Sequence, residues 1–111
     1  MSFGTTLREH QRIAILRALT EAPGYMANLS VLVDALAPFG LMVTRDGLAV
    51  EASWLHEQGL VQLGLVAAVP TLALTDRGLD VAQGRAIVPG VKRPSPGSAA
   101  MSVASMLAKG P

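Results

Sequence analysis

Trp54-Leu55-His56-Glu57-Gln58-Gly59-Leu60-Val61 and, after residues 62–73, Leu74-Thr75-Asp76-Arg77-Gly78-Leu79 decide how this chain folds. The first stretch reads as the end of a helix running into a strand: Leu55 is an apolar anchor, and Gly59 stands where a left-handed residue closes a helix. In the second, Leu74 ends an apolar run and Thr75 is a helix cap. Between them lie two short apolar runs, residues 60–65 and 69–74, joined by Val66-Ala67-Ala68. This is the pattern of a β-hairpin, with Pro70 tolerated only where its strand is an edge.

Upstream, Thr44 caps a helix over residues 45–58 in which Leu48, Ala52 and Leu55 share one face. Residues 41–43 link it to a shorter helix capped by Asn28, whose Leu29, Leu32, Val33 and Leu36 recur at helical spacing until Pro38 and Gly40 stop it. The first helix is expected from a cap at Thr5 or Thr6, with Glu9 completing a capping box, through Thr20. Its apolar stripe is Ile13, Leu16 and Leu19 or Thr20, with Arg8, Glu9 and Arg12 on a wetter side, and residues 25–27 are a connection. Downstream, residues 76–83 form a last helix that returns Leu79 and Ala82 to the core, and Gly84 ends it. The expectation is a mainly α fold with a small β-hairpin (α+β), ordered α-α-α-β-β-α, over residues 5–84.

The rest of the chain has a different character. Residues 85–97 are rich in Pro, Gly and Ser and read as a basic linker that does not pack. Residues 98–111 are a tail in which Ala100, Val103, Ala104 and Leu107 repeat at helical spacing. A helix that short is marginal alone, so order there needs a second subunit or another protein, with Val103 and Leu107 as the contact residues. Charge divides at the same place. Residues 1–84 hold five Arg against eight Asp or Glu, a net of −3, whereas residues 85–111 hold Arg85, Lys92, Arg93 and Lys109 with no acid.

Composition narrows the classes. Half the residues are hydrophobic, but the aromatics are only Phe3, Tyr25, Phe39 and Trp54, so the core is built from Leu, Val and Ala. Cysteine is absent, which removes disulfides and thiolate metal ligands. No signal peptide opens the chain and no apolar run approaches the roughly 18 residues of a membrane span. A soluble protein of the cytoplasm, with no membrane partner, is expected. His10 and His56 stand apart from other ligand types, so no metal or cofactor is expected. Asp34, Glu51 and Asp80 form no catalytic pair, and Ser30 and Ser53 have no evident base, so the chain does not read as an enzyme.

The two opening stretches resemble winged-helix regulators of the MarR, PadR and ArsR type. There a recognition helix ends in Leu-x-x-x-Gly-Leu-Val, matched by residues 55–61, and the wing runs into Leu-Thr-x-x-Gly, matched by residues 74–78. A narrower resemblance, to small winged-helix proteins encoded in Mu-like phages and prophages, spans residues 7–93. It is carried by Glu9-His10-Gln11-Arg12, Glu21-Ala22-Pro23-Gly24-Tyr25, Arg45-Asp46, residues 54–61 and Arg85-Ala86-Ile87-Val88-Pro89-Gly90-Val91. That group brings no biochemical role with it.

What the wider resemblance implies is a third helix laid in the major groove of DNA, presenting Arg45, Ala49, Ser53 and His56, with Thr44 and the free N–H groups behind it taking a phosphate. Lys92 and Arg93 would add electrostatic attraction, and a homodimer would double the contacts. The helix also carries Asp46, Glu51 and Glu57, and the hairpin tip has no Lys or Arg. The competing expectation is a winged helix that binds a phage or host protein through its apolar hairpin and tail. Trp54 reads as a packing residue in both.

Overall fold

The first helix begins earlier than its threonines suggest. Ser2 is the cap, its Oγ accepting from the Thr5 N–H at 3.1 Å, and helix α1 runs Phe3–Glu21. Thr6 lies inside its first turn and its hydroxyl donates to the Ser2 carbonyl, so the Thr6 and Glu9 capping box is not used. The computed structural model describes residues 2–95, and the tail positions Val103 and Leu107 lie outside the described residues.

The described chain is α+β, with four helices and a three-stranded antiparallel sheet. Its order is α1, β1 (Met26–Asn28), α2 (Leu29–Leu36), α3 (Arg45–Glu57), β2 (Val61–Val66), β3 (Val69–Leu74) and α4 (Asp76–Ala82). The expected order lacked β1. Residues read as a connection pair with β3 instead, Ala27 opposite Leu72, and the sheet order is β1-β3-β2. Pro70 lies beyond the stretch of β3 that β1 covers, so its missing N–H falls where β3 has β2 as its only neighbour in the sheet.

Local chemistry sets the other boundaries as read from the sequence. Asn28 accepts from the Val31 N–H at 2.8 Å, and Thr44 from Gly47 at 2.9 Å. At the end of α3 the Gly59 N–H reaches the His56 carbonyl and the Leu60 N–H the Leu55 carbonyl, with Gly59 at φ 75°. This paired closure satisfies carbonyls that a helix end leaves open, and the left-handed turn costs glycine little. The chain then enters β2 beneath α4. Thr75 Oγ1 accepts from the Gly78 N–H at 3.0 Å and donates to the Gly59 carbonyl at 2.8 Å, while the Thr75 N–H donates to the Leu60 carbonyl. The two opening stretches are therefore one joint, packed face to face.

Ile13, Ile15, Leu16 and Leu19 of α1, Leu32 and Leu36 of α2, Leu48 and Leu55 of α3, Leu60 just before β2, and Val61 and Leu72 of the sheet form one buried core. From α4 the buried residues are Gly78, Val81 and Ala82, with Leu79 only half-buried. The segment read as an unpacked linker also contributes: Val88 and Val91 are buried in the same core, and the Lys92 N–H donates to the Glu9 carbonyl. Two valines at three-residue spacing help to hold a stretch whose Pro and Gly content hides them.

The hairpin connecting β2 to β3 is strained. Val66 pairs with Val69 across a two-residue loop in which Ala67 and Ala68 have φ of 51° and 65°. That is the type I′ turn, which matches strand twist but favours Asn-Gly. Ala67→Asn with Ala68→Gly is expected to raise stability by roughly 1–2 kcal/mol, read as a higher urea midpoint at constant m-value.

Candidate interaction surface on the third helix and the hairpin

Helix α3 has its inner face fixed by Leu48, Ala52 and Leu55, so its outermost line falls on Asp46, Val50, Ser53 and Glu57, at three- and four-residue spacing. The candidates Arg45, Ala49, Ser53 and His56 make a neighbouring line on one flank. Arg45, Ser53 and His56 are exposed and Ala49 is half-buried against the core. Thr44 is exposed, but its hydroxyl is occupied as the helix cap. The His56 ring turns toward the start of β2, its Nδ1 3.2 Å from the Val61 carbonyl oxygen.

Glu51, counted from the sequence among the acids this helix carries, faces inward. It is 5% exposed, and its Oε1 accepts from Arg12 Nε at 2.7 Å. The same guanidinium donates to the Gly90 carbonyl at 2.9 Å and lies 3.8 Å from the centre of the Trp54 ring. Arg12, placed on a wet face by its sequence pattern, thus ties α1, α3 and the segment around Gly90 together. Trp54 is half-buried beneath it.

Lys92 and Arg93 are exposed, but Lys92 is held at Glu9, beside the Arg12 and Trp54 contact. Trp54 lies about 140° around α3 from Ala49, at 100° per residue. The structure therefore does not bring Lys92 and Arg93 to the flank that carries Arg45, Ala49 and His56.

The hairpin extends this surface without charge. Residues 58–75 contain no Asp, Glu, Lys or Arg. Leu63, Leu65, Val66 and Val69 are all exposed, Leu65 at 71%. Met42 and Val50 add exposed apolar area at α3. Apolar groups this exposed and this close together mark interaction surfaces.

A feature not read from the sequence is an open apolar groove of about 500 Å³ between α1, β1 and α2, walled by Ala14, Ala18, Ala22, Met26, Val31 and Phe39. Its signal was available in the alanines at four-residue spacing, which leave a trough along α1. Among the described residues no three His, Asp or Glu side chains gather at metal-binding distance, and no helix is long and apolar enough to cross a membrane.

No family model matches the chain, and no solved structure matches it. Two curated relatives do. The uncharacterised protein gp26 of Escherichia phage Mu is 44% identical over 90 residues, covering 81% of this chain and 93% of that protein. An uncharacterised protein of Haemophilus influenzae is 43% identical over 63 residues, covering 57% of this chain and 61% of that protein. On that extent of identity and coverage the chain belongs to the family of the phage Mu protein gp26.

Proposed function

We propose that this chain is a winged-helix protein of Mu-like phages whose third helix and wing bind a protein partner. The fold reading is supported by the order α1-β1-α2-α3-β2-β3 around a β1-β3-β2 sheet, with α3 leading directly into the hairpin. The functional reading rests on one observation: the outermost line of α3 is Asp46, Val50, Ser53 and Glu57, followed by a hairpin with no charge. DNA affinity depends on neutralising phosphates, and two carboxylates at the front of a groove-reading helix oppose it. Apolar side chains ringed by a few polar ones are what a protein interface uses.

DNA binding is the second reading, favoured by the capped, exposed N-terminus of α3 with Arg45 in its first turn. Fluorescence anisotropy with duplex DNA separates the two. At about 50 mM salt no binding is expected up to tens of micromolar, whereas a phosphate-binding protein shows at least nonspecific binding there. Binding that is weakened by Arg45→Ala, and whose salt dependence flattens on exchanging Lys92 and Arg93 for alanine, would establish the DNA reading instead. Point changes suit this test better than truncation before residue 92, because Val91 is part of the core.

A further inference from the structure

Strand β2 is an edge of the sheet, and it lacks the usual protection of one. Natural edges are blunted by charge, proline, a bulge or a covering element. Val61-Gln62-Leu63-Gly64-Leu65-Val66 has no charge and no proline, it pairs with β3 residue for residue without a bulge, and residues 62–66 are exposed.

The register states which backbone groups face outward. In the two-residue turn Val66 and Val69 are the hydrogen-bonded pair that closes the loop. Pairs alternate along an antiparallel ladder, so Gly64 and Gln62 also bond to β3, while Leu65, Leu63 and Val61 direct their N–H and C=O to the free edge. Two facts agree with that phase. Pro70, opposite Leu65, has no N–H to give β2, and Leu72, opposite Leu63, spends its own groups on β1. The outward carbonyl of Val61 already meets His56 Nδ1. Leu63 and Leu65, both exposed, keep N–H and C=O alike turned to the free edge.

We infer that a second copy of this chain occupies this edge, β2 pairing antiparallel with β2 of its partner about a two-fold axis at Gly64. Leu63 of each copy then faces Leu65 of the other, and the open N–H and C=O groups of both residues are satisfied in one step. The strand suits itself. It is uncharged, so no like charges oppose, and the same patch serves both copies as a two-fold interface requires. Each exposed Leu63 gains a cross-strand apolar neighbour in Leu65 of the other copy. Gly64 falls at the axis, and its own chain does not demand a glycine, since a Cβ there meets only Thr71 Oγ1 at 3.6 Å. A glycine inside a strand weakens it and often marks the close approach of another backbone.

This inference deepens the protein-binding reading and rests on it. Sedimentation of the full chain from about 1 to about 500 micromolar is expected to show a monomer–dimer equilibrium within that range. Leu65→Pro removes only an outward N–H, so the monomer keeps its circular dichroism while dimer affinity falls roughly 100-fold. Leu65→Lys, which restores ordinary edge protection, serves should the proline variant fail to fold. The register has its own check in a chain free of cysteine. Gly64→Cys opposes its own copy at about 4.5 Å between Cα atoms and is expected to form a disulfide-linked dimer on mild oxidation. Gln62→Cys, which opposes Val66, does not. A chain monomeric throughout the range, a Leu65 variant that folds and still dimerises, or equal cross-linking of the two cysteine variants overturns the inference. DNA anisotropy on the native chain is read separately: a native chain that is monomeric throughout the range and ignores DNA removes the self-pairing and leaves the protein-binding reading standing.

Discussion

Gly78→Ala is expected to remove most or all of the folded state. A Cβ at Gly78 would lie 2.0 Å from the Leu60 carbonyl oxygen and 2.8 Å from Leu74 Cδ1. The Leu74 methyl is a side-chain end that can rotate aside, but the Leu60 carbonyl is backbone and cannot. Leu60 is fully buried, its N–H is committed to Leu55 and its carbonyl to the Thr75 N–H. Relief would require α4 to back away from the sheet, which breaks the Thr75 bonds to Leu60 and Gly59 and opens the core beside Val81 and Ala82. Overpacking that a side chain can absorb costs about 1–3 kcal/mol; one that must shift backbone costs more, so a loss of at least about 3 kcal/mol is expected. Urea unfolding followed by Trp54 fluorescence measures it. Gly64→Ala is the control, its new methyl meeting only Thr71 Oγ1 at an ordinary contact distance of 3.6 Å, and is expected to change stability by no more than about 1 kcal/mol, in the favourable direction. Equal losses at the two positions would mean that the contact between α4 and Leu60 is not what selects glycine.

The same joint shows what a single sequence reveals. Asn28, Thr44 and Thr75 act on groups three residues away, so their spacing alone announces their caps. The paired glycine signatures were legible for the same reason, although their mutual contact was not. Strand β1 was missed because three residues carry no periodicity, and its partner β3 lies far along the chain. Val88 and Val91 were missed because composition averages over a window in which only a few side chains do the packing. At the candidate surface, sequence pattern located α3 and the hairpin but set the outward face of α3 toward one flank, on Arg45, Ala49, Ser53 and His56, of which only Ser53 lies on the outermost line. The inner face included Glu51, and a carboxylate turns inward only because Arg12, 39 residues away in sequence, meets it there. Periodicity counts both as solvated charges; only their tertiary pairing makes them part of the interior.

That pairing gives the second large effect. Arg12→Ala leaves the Glu51 side chain, 7% exposed, with its counter-charge deleted, and it also strips the guanidinium from Trp54 and the donor from the Gly90 carbonyl. Removing one partner of a buried ion pair costs about 3–5 kcal/mol, chiefly through the charge left behind. Arg12→Lys keeps the charge but not the planar fork, so it holds Glu51 or Gly90 and not both, with an expected loss of about 1–2 kcal/mol. Replacing Arg12 and Glu51 together by leucine is expected to restore most of the stability lost in Arg12→Ala, because no unpaired charge remains. The Gly90 contact is not restored in the double variant, and Gly90 closes over Trp54 where a Cβ would lie 2.8 Å from the ring. Hydrogen exchange at the Lys92 N–H, which bonds Glu9, should therefore stay faster than in the native chain even when global stability has returned. Should Arg12→Ala cost less than about 1 kcal/mol, or the leucine pair prove no better than the single variant, the ion pair is not what holds α1, α3 and the segment around Gly90 together, and the buried valines alone anchor that segment.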